Sequence, residues 1–168
     1  VDFDVTVASA SGGYSVSVRS PAGEANAITQ IMVSADPIAS GVAALKRAQF
    51  DGALAKSLGG TLLAALLQDG VSSAYYATLG ATSQSSGIRL RLRINAPELK
   101  ALPWEYLYDA KRDNFLAVRR DVVISRYLEV FQPIDPPQYP TPLSILVLLS
   151  GPTGPAALDL AGDQQRIT

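Results

Sequence analysis

Apolar and polar residues alternate most cleanly between positions 88 and 94, with Ile88, Leu90, Leu92 and Ile94 on one side and Arg89, Arg91 and Arg93 on the other. A period of two marks a strand with one buried face. The same period opens the chain. Phe3, Val5 and Val7 alternate with polar neighbours, Ser11-Gly12-Gly13 turns the chain, and Tyr14, Val16 and Val18 alternate again, which predicts a β-hairpin. After a second turn at Ser20-Pro21-Ala22-Gly23, residues 27 to 33 read as a weaker strand. From 36 to 84 the β-branched residues thin out and Ala, Leu, Lys and Gln dominate. Asp36-Pro37 opens a helix. Leu54, Leu58, Leu62 and Leu66 recur at helical spacing, widened by Leu63 and Leu67, so this segment is an amphipathic helix. Gly59-Gly60 interrupts the stripe at about 1 kcal/mol per glycine relative to Ala. Close packing against a neighbour would account for the pair, and so would a break into two helices. Val71, Tyr75 and Leu79 mark a last helix, and residues 83 to 87 a loop.

After Ile94, Asn95 precedes Ala96-Pro97-Glu98, an N-cap, an early proline and an acid at the third position, which predict a helix start. Pro103 keeps that helix short. Trp104 to Tyr108 is expected as a strand, 109 to 114 as a polar turn, Phe115 to Val118 as the returning strand and Val122 to Leu128 as a further one. Five of the eleven prolines fall between 133 and 142, a stiff, extended composition. Beyond it, Leu143 to Ser150 is continuously apolar, like a strand covered on both faces of a parallel sheet, and 156 to 167 reads as a helix. One strand and one helix cannot bury a core. The expected organisation is therefore an α+β (mixed α/β) domain over 1–132, a Pro-rich linker over 133–142, and the first β-α unit of a second domain over 143–168. The hairpin, the central helices and the strand-rich 88–128 segment share one core.

Composition narrows the chemistry. The net charge is -1 and the chain contains no His and no Cys. Disulfides and thiolate metal sites are excluded, the usual general base is missing, and nothing draws the chain toward nucleic acid or an acidic membrane. The N-terminus, VDFDVTV, is acidic and alternating, unlike a signal peptide. The apolar run Ile145 to Leu149 is far too short to span a bilayer. A cytoplasmic protein with no cofactor and neither a nucleic-acid nor a membrane partner is the expectation.

The candidate groups have bland readings that outweigh the chemical ones. Arg89, Arg91 and Arg93 could meet phosphate or an acidic peptide, but charge pointing outward is what a half-exposed strand carries. Among Glu98, Glu105 and Asp109, the first is a helix-capping acid. Glu105 follows Trp104 in an apolar context and needs a cationic partner, for which Arg126 is the candidate. Trp104, with Tyr106 and Tyr108, could line a peptide groove, but core packing suits it better. The loop GPTGPAALD lacks the lysine of a P-loop and the glycine spacing of a dinucleotide site. Ser11, Ser20 and Ser150 have no histidine to activate them.

Several of these segments also carry a family likeness. Leu90-Arg91-Leu92-Arg93, Ala96-Pro97-Glu98-Leu99, Leu102-Pro103-Trp104-Glu105-Tyr106-Leu107-Tyr108-Asp109, Phe115-Leu116-Ala117 and Ser125-Arg126-Tyr127-Leu128 resemble the region preceding the peptidase core in bacterial CHAT-domain proteins, relatives of caspases and separases. Gly12-Gly13-Tyr14 and Ser20-Pro21-Ala22-Gly23-Glu24-Ala25 match the family's opening. Leu143 to Pro152 with Leu158-Asp159 looks like the first strand and helix of the core. The resemblance implies that this chain is the non-catalytic N-terminal part of a CHAT-type cysteine peptidase. The family's His-Cys dyad would lie after Thr168, since neither residue type is present. The implied partners are the downstream peptidase core of the same protein and a protein substrate or regulator, with a second copy of the chain as another way to cover the 143–149 strand. An independent protein-interaction module with no link to catalysis is the competing expectation.

Overall fold

Both alternating segments at the N-terminus form strands in the computed structural model of the chain, β1 (Asp2–Ala10) and β2 (Gly13–Ser20). The turn between them needs glycine. Gly13 has φ +143°, and a Cβ there would lie 2.4 Å from the Thr29 carbonyl oxygen. A third strand, β3 (Gly23–Thr29), pairs antiparallel with β2. The helices follow as α1 (Ile38–Lys46), α2 (Gly52–Leu66) and α3 (Asp69–Ala81). Asp51 caps α2, accepting from Leu54 N–H at 2.7 Å, and Asp36, one residue before the Pro37 N-cap of α1, accepts from Ser40 N–H at 3.1 Å. The arginine-alternating segment is β4 (Ile88–Ile94), and β7 (Val122–Arg126) closes the sheet. A separate ribbon joins β5 (Tyr108–Asp109) to β6 (Asn114–Phe115). The structure describes residues 1–49, 51–82 and 87–127, all of them in one unit, Val1–Val130. The expected linker at 133–142 and the expected strand and helix of 143–168 lie outside the described residues.

The main sheet has the order β3-β2-β1-β4-β7, with β1 parallel to β4 and β4 parallel to β7. Parallel neighbours need a long crossover, and the three helices supply the one from the hairpin to β4. Register does the rest: Val5 stands beside Leu92 and Asp4 beside Arg91. Phe3, Val5, Val7, Val16, Val18, Leu90 and Leu92 therefore share one face and join Leu58, Leu62, Leu66, Val71 and Tyr75 of the helices in a single core. Full burial of each such side chain contributes about 1.5–3 kcal/mol. The fold is mixed α+β, as the residue pattern leads one to expect.

The paired glycines are explained by packing. α2 runs without a break through Gly59-Gly60. A Cβ on Gly59 would sit 1.8 Å from the Tyr106 carbonyl oxygen, so only glycine lets the helix lie against that backbone.

Four local expectations are corrected. The segment from Trp104 is not a strand: Trp104–Tyr106 is one turn of 3-10 helix, with Tyr106 N–H donating to the Pro103 carbonyl at 3.0 Å. Its two fully buried side chains, Trp104 and Leu107, fall three apart, a helical spacing rather than an alternating one. The return segment is likewise a two-residue strand followed by a 3-10 turn, Leu116–Val118. Asn95 does not cap the short helix. Its N–H extends the β1–β4 pairing by donating to Val7 at 2.7 Å, and the helix is a 3-10 turn, Pro97–Leu99, with no side-chain cap. Finally, the weak strand lies at Gly23–Thr29 and not at 27–33, because its register with β2 begins at the turn, where Ser20 faces Gly23.

Candidate functional site

Two clusters hold the residues singled out by the sequence. The first is built on the Leu99–Tyr106 turns and edge strand β7. Trp104 is fully buried, and its indole Nε1–H donates to the Leu99 carbonyl at 2.9 Å, so the ring packs in the core while its one polar group is satisfied. Glu105, next in the chain, points outward and meets Arg126 in a two-pronged pair, Nε to Oε1 and Nη2 to Oε2, both at 2.7 Å. The side chains remain 55% and 39% exposed. Arg126 also donates from Nη1 to the Lys100 carbonyl at 2.7 Å and from Nη2 to the Leu102 carbonyl at 2.8 Å. Its flat, five-donor fork suits this combination of one carboxylate and two carbonyls. The Arg126 hydrogen bonds hold the Glu105 carboxyl below its ordinary range, against a smaller opposing push from burial. The apolar context of Glu105 pointed to this partner. The two backbone carbonyls had no signal in the sequence.

The second cluster lies on the sheet face opposite the helices. Arg89 reaches Asp2 at 3.6 Å, and Arg91 reaches Asp2 at 3.4 Å and Asp4 at 3.2 Å. These are cross-strand pairs set by the parallel register of β1 and β4. Arg91 and Arg93 both stack on the Tyr127 ring, their guanidinium carbons 4.6 and 4.9 Å from its centroid. Together with Thr6, Ser17, Arg19 and Asn26 they border an open groove of about 480 Å³. The arginine row is thus tied into its own strand neighbours, and among the described residues Tyr127 supplies the aromatic surface on this face, a residue the alternating pattern did not bring forward.

A third cluster gathers around Asp109 and Tyr108, which the sequence singled out without their partners. Asp109, 1% exposed, accepts from Lys111 N–H at 3.0 Å, Arg112 Nη1 at 3.2 Å and, at 3.4 Å, the Tyr76 hydroxyl. Beside it, the Tyr108 hydroxyl and Lys56 both donate to Asp113, and these two bonds draw the Asp113 carboxyl below its ordinary value. Arg119 and Asp121 form a further two-pronged pair at 2.9 and 2.6 Å. Lys56 and Tyr76 reach this cluster from α2 and α3, whereas Arg112 and Arg119 lie within three residues of the acids they pair with. Burial pushes the neighbouring Tyr75 hydroxyl up to about 12.

Among the described residues no group of three or more acidic, His or Cys side chains converges in a way that could hold a metal ion. No helix among them is long and apolar enough to cross a membrane. The chemistry on view is that of fixed ion pairs and a polar sheet face. Comparison with protein families, curated proteins and solved structures yields no match.

Proposed function

We propose that this chain is the non-catalytic N-terminal part of a CHAT-type cysteine peptidase, supporting a caspase-like His-Cys core that follows in the same protein. The observation that carries the reading is the convergence at Arg126. Pro103-Trp104-Glu105 and Ser125-Arg126-Tyr127, two of the segments on which the resemblance rests, are joined there by hydrogen bonds to Glu105, Lys100 and Leu102. This clasp fixes β7, the last strand of the described domain, and the chain continues from it toward the Pro-rich stretch. A rigid exit strand is what a support domain needs if it is to hold a following catalytic core in one orientation. The role is cytoplasmic and requires no cofactor in this part of the protein.

The test is a peptidase assay with a broad peptide library. The whole gene product should cleave, the 168-residue chain should not, and Arg126→Ala in the whole protein should lower turnover while the downstream His and Cys remain intact. A gene that encodes no His and Cys downstream would end this reading. The competing role, an independent protein-interaction module, draws on the open groove beside Tyr127. It requires the isolated chain to capture a partner that the downstream core does not influence.

A further inference from the structure

The two adjacent glycines of α2 differ in what they leave room for. Gly59 is demanded by the Tyr106 backbone. Gly60 is not: a Cβ there would meet only Tyr108 Cδ1 at 3.8 Å, an ordinary contact. Glycine inside a helix is less favourable than alanine, and no close approach at Gly60 offsets that. The bare backbone instead leaves open a cavity of about 280 Å³ between α2, α3 and the β5–β6 turn. Leu63 and Leu67 give it an apolar lining, Tyr76 and Tyr108 give it aromatic walls, and Lys111 stands at its rim.

The rim is electrostatically unbalanced. Of the cations around the two rings, Lys56 pairs with Asp113 at 2.7 Å and Arg112 with Asp109 at 3.2 Å. Lys111 is exposed, lies 4.4 Å from the Tyr76 ring centroid and pairs with no carboxylate among the described residues. Asp109, the buried acid nearby, is already engaged by three donors. The vacant complement is therefore one apolar group with one negative charge beside it. The volume lies just below the range of small-molecule sites, about 300–1,000 Å³, and leaves room for an anchoring side chain.

We infer that this cavity is a docking site for an extended segment of a partner protein, which inserts one aliphatic side chain over Gly60 and sets an adjacent carboxylate against Lys111. The inference is independent of the peptidase reading, since it uses only α2, α3 and the β5–β6 turn.

The experiment titrates the isotope-labelled 168-residue chain with a capped hexapeptide, Gly-Ser-Leu-Glu-Ser-Gly, and follows backbone amide shifts. The expected result is saturable shifts confined to residues 60–72 and 108–111, with a Kd on the order of 1 mM, as suits one anchor. Replacing Glu by Lys in the peptide should weaken binding about threefold, and replacing Leu by Ala about tenfold. Gly60→Leu should fill the cavity and remove the shifts without lowering the melting temperature. If that variant melts early, Lys111→Glu decides instead, by reversing the preference between the Glu and Lys peptides. Absent or non-saturable shifts, or binding unchanged in both variants, would overturn the proposal. Isocaproate binding as tightly as the hexapeptide would also overturn it, and would make the cavity a small-carboxylate site.

Discussion

Strand β4 and the segment from Pro97 to Val118 lie next to each other in the chain and are stabilised in different ways. β4 alternates without a fault, pairs in parallel on both sides and buries Ile88, Leu90 and Leu92 in the core. Its order is distributed over many equivalent contacts, and its polar face carries ion pairs to Asp2 and Asp4 and the stacking of Arg91 and Arg93 on Tyr127. Pro97–Val118 has three 3-10 turns and two strands of two residues each. It is held by a few particular contacts: the Trp104 indole, the Gly59 approach, the Arg126 fork and the Asp109 carboxylate. Repetitive structure tolerates the loss of one exposed side chain, whereas irregular structure concentrates its stability in single residues.

That contrast can be broken by substitution, and the largest effect is expected at Trp104. Trp104→Ala removes a fully buried ring and its hydrogen bond to Leu99 and should cost about 3–5 kcal/mol. A thermal melt within a degree or two of the parent would show that the turn does not depend on it. Next comes Gly59→Ala. Its Cβ would fall 1.8 Å from the Tyr106 oxygen, so α2 and the 104–106 turn must part, at about 3 kcal/mol. Gly60→Ala, one residue on, meets nothing closer than 3.8 Å and should instead stabilise by up to about 1 kcal/mol through helix propensity. Opposite signs at adjacent positions, read by urea unfolding, are the sharpest check on the packing of α2.

Arg126→Ala should cost about 1–3 kcal/mol, because Glu105 and the carbonyls of Lys100 and Leu102 lose their donor together. Arg89→Ala on the open sheet face should change stability by less than about 1 kcal/mol, since its pair with Asp2 is exposed. If the two arginines cost the same, the distinction between clasp and strand face fails.

Acid should act on the same contacts. The carboxyls of Glu105, Asp113 and Asp121 are held below their ordinary values by Arg126, by Lys56 with Tyr108, and by Arg119 respectively. A depressed folded-state value means that the stabilisation is fully present above the unfolded-state value, about pH 4. It is lost as pH falls through the folded-state value. Stability measured from pH 7 downward should hold until about pH 5 and then decline. In Arg126→Ala the part of that decline belonging to Glu105 should vanish.

Period and composition were enough to place both strands of the hairpin, the helical block and β4, because burying one face of a strand or helix leaves a repeat in the residues themselves. Val16 and Leu92 announce their face by position alone. The same logic misread Trp104 to Tyr108, where apolar and polar residues mix over too few positions for a period to be established. Hydrogen bonds from Tyr106 and Leu107 N–H to the carbonyls of Pro103 and Trp104 make that chain a 3-10 helix. The Glu105–Arg126 pair was legible from the apolar neighbours of both residues, although Glu105 itself proves to be exposed. The Asp109 cluster was not, because Tyr76 reaches it from α3, 33 residues away, and only the fold brings the two together. The sequence by itself determined which residues could be buried and how often the chain must turn. Tertiary structure decided why Gly59 is a glycine, which carbonyls Arg126 caps and where an open cavity remains. Those outcomes depend on distances between elements far apart in the chain, and local patterning carries no record of them.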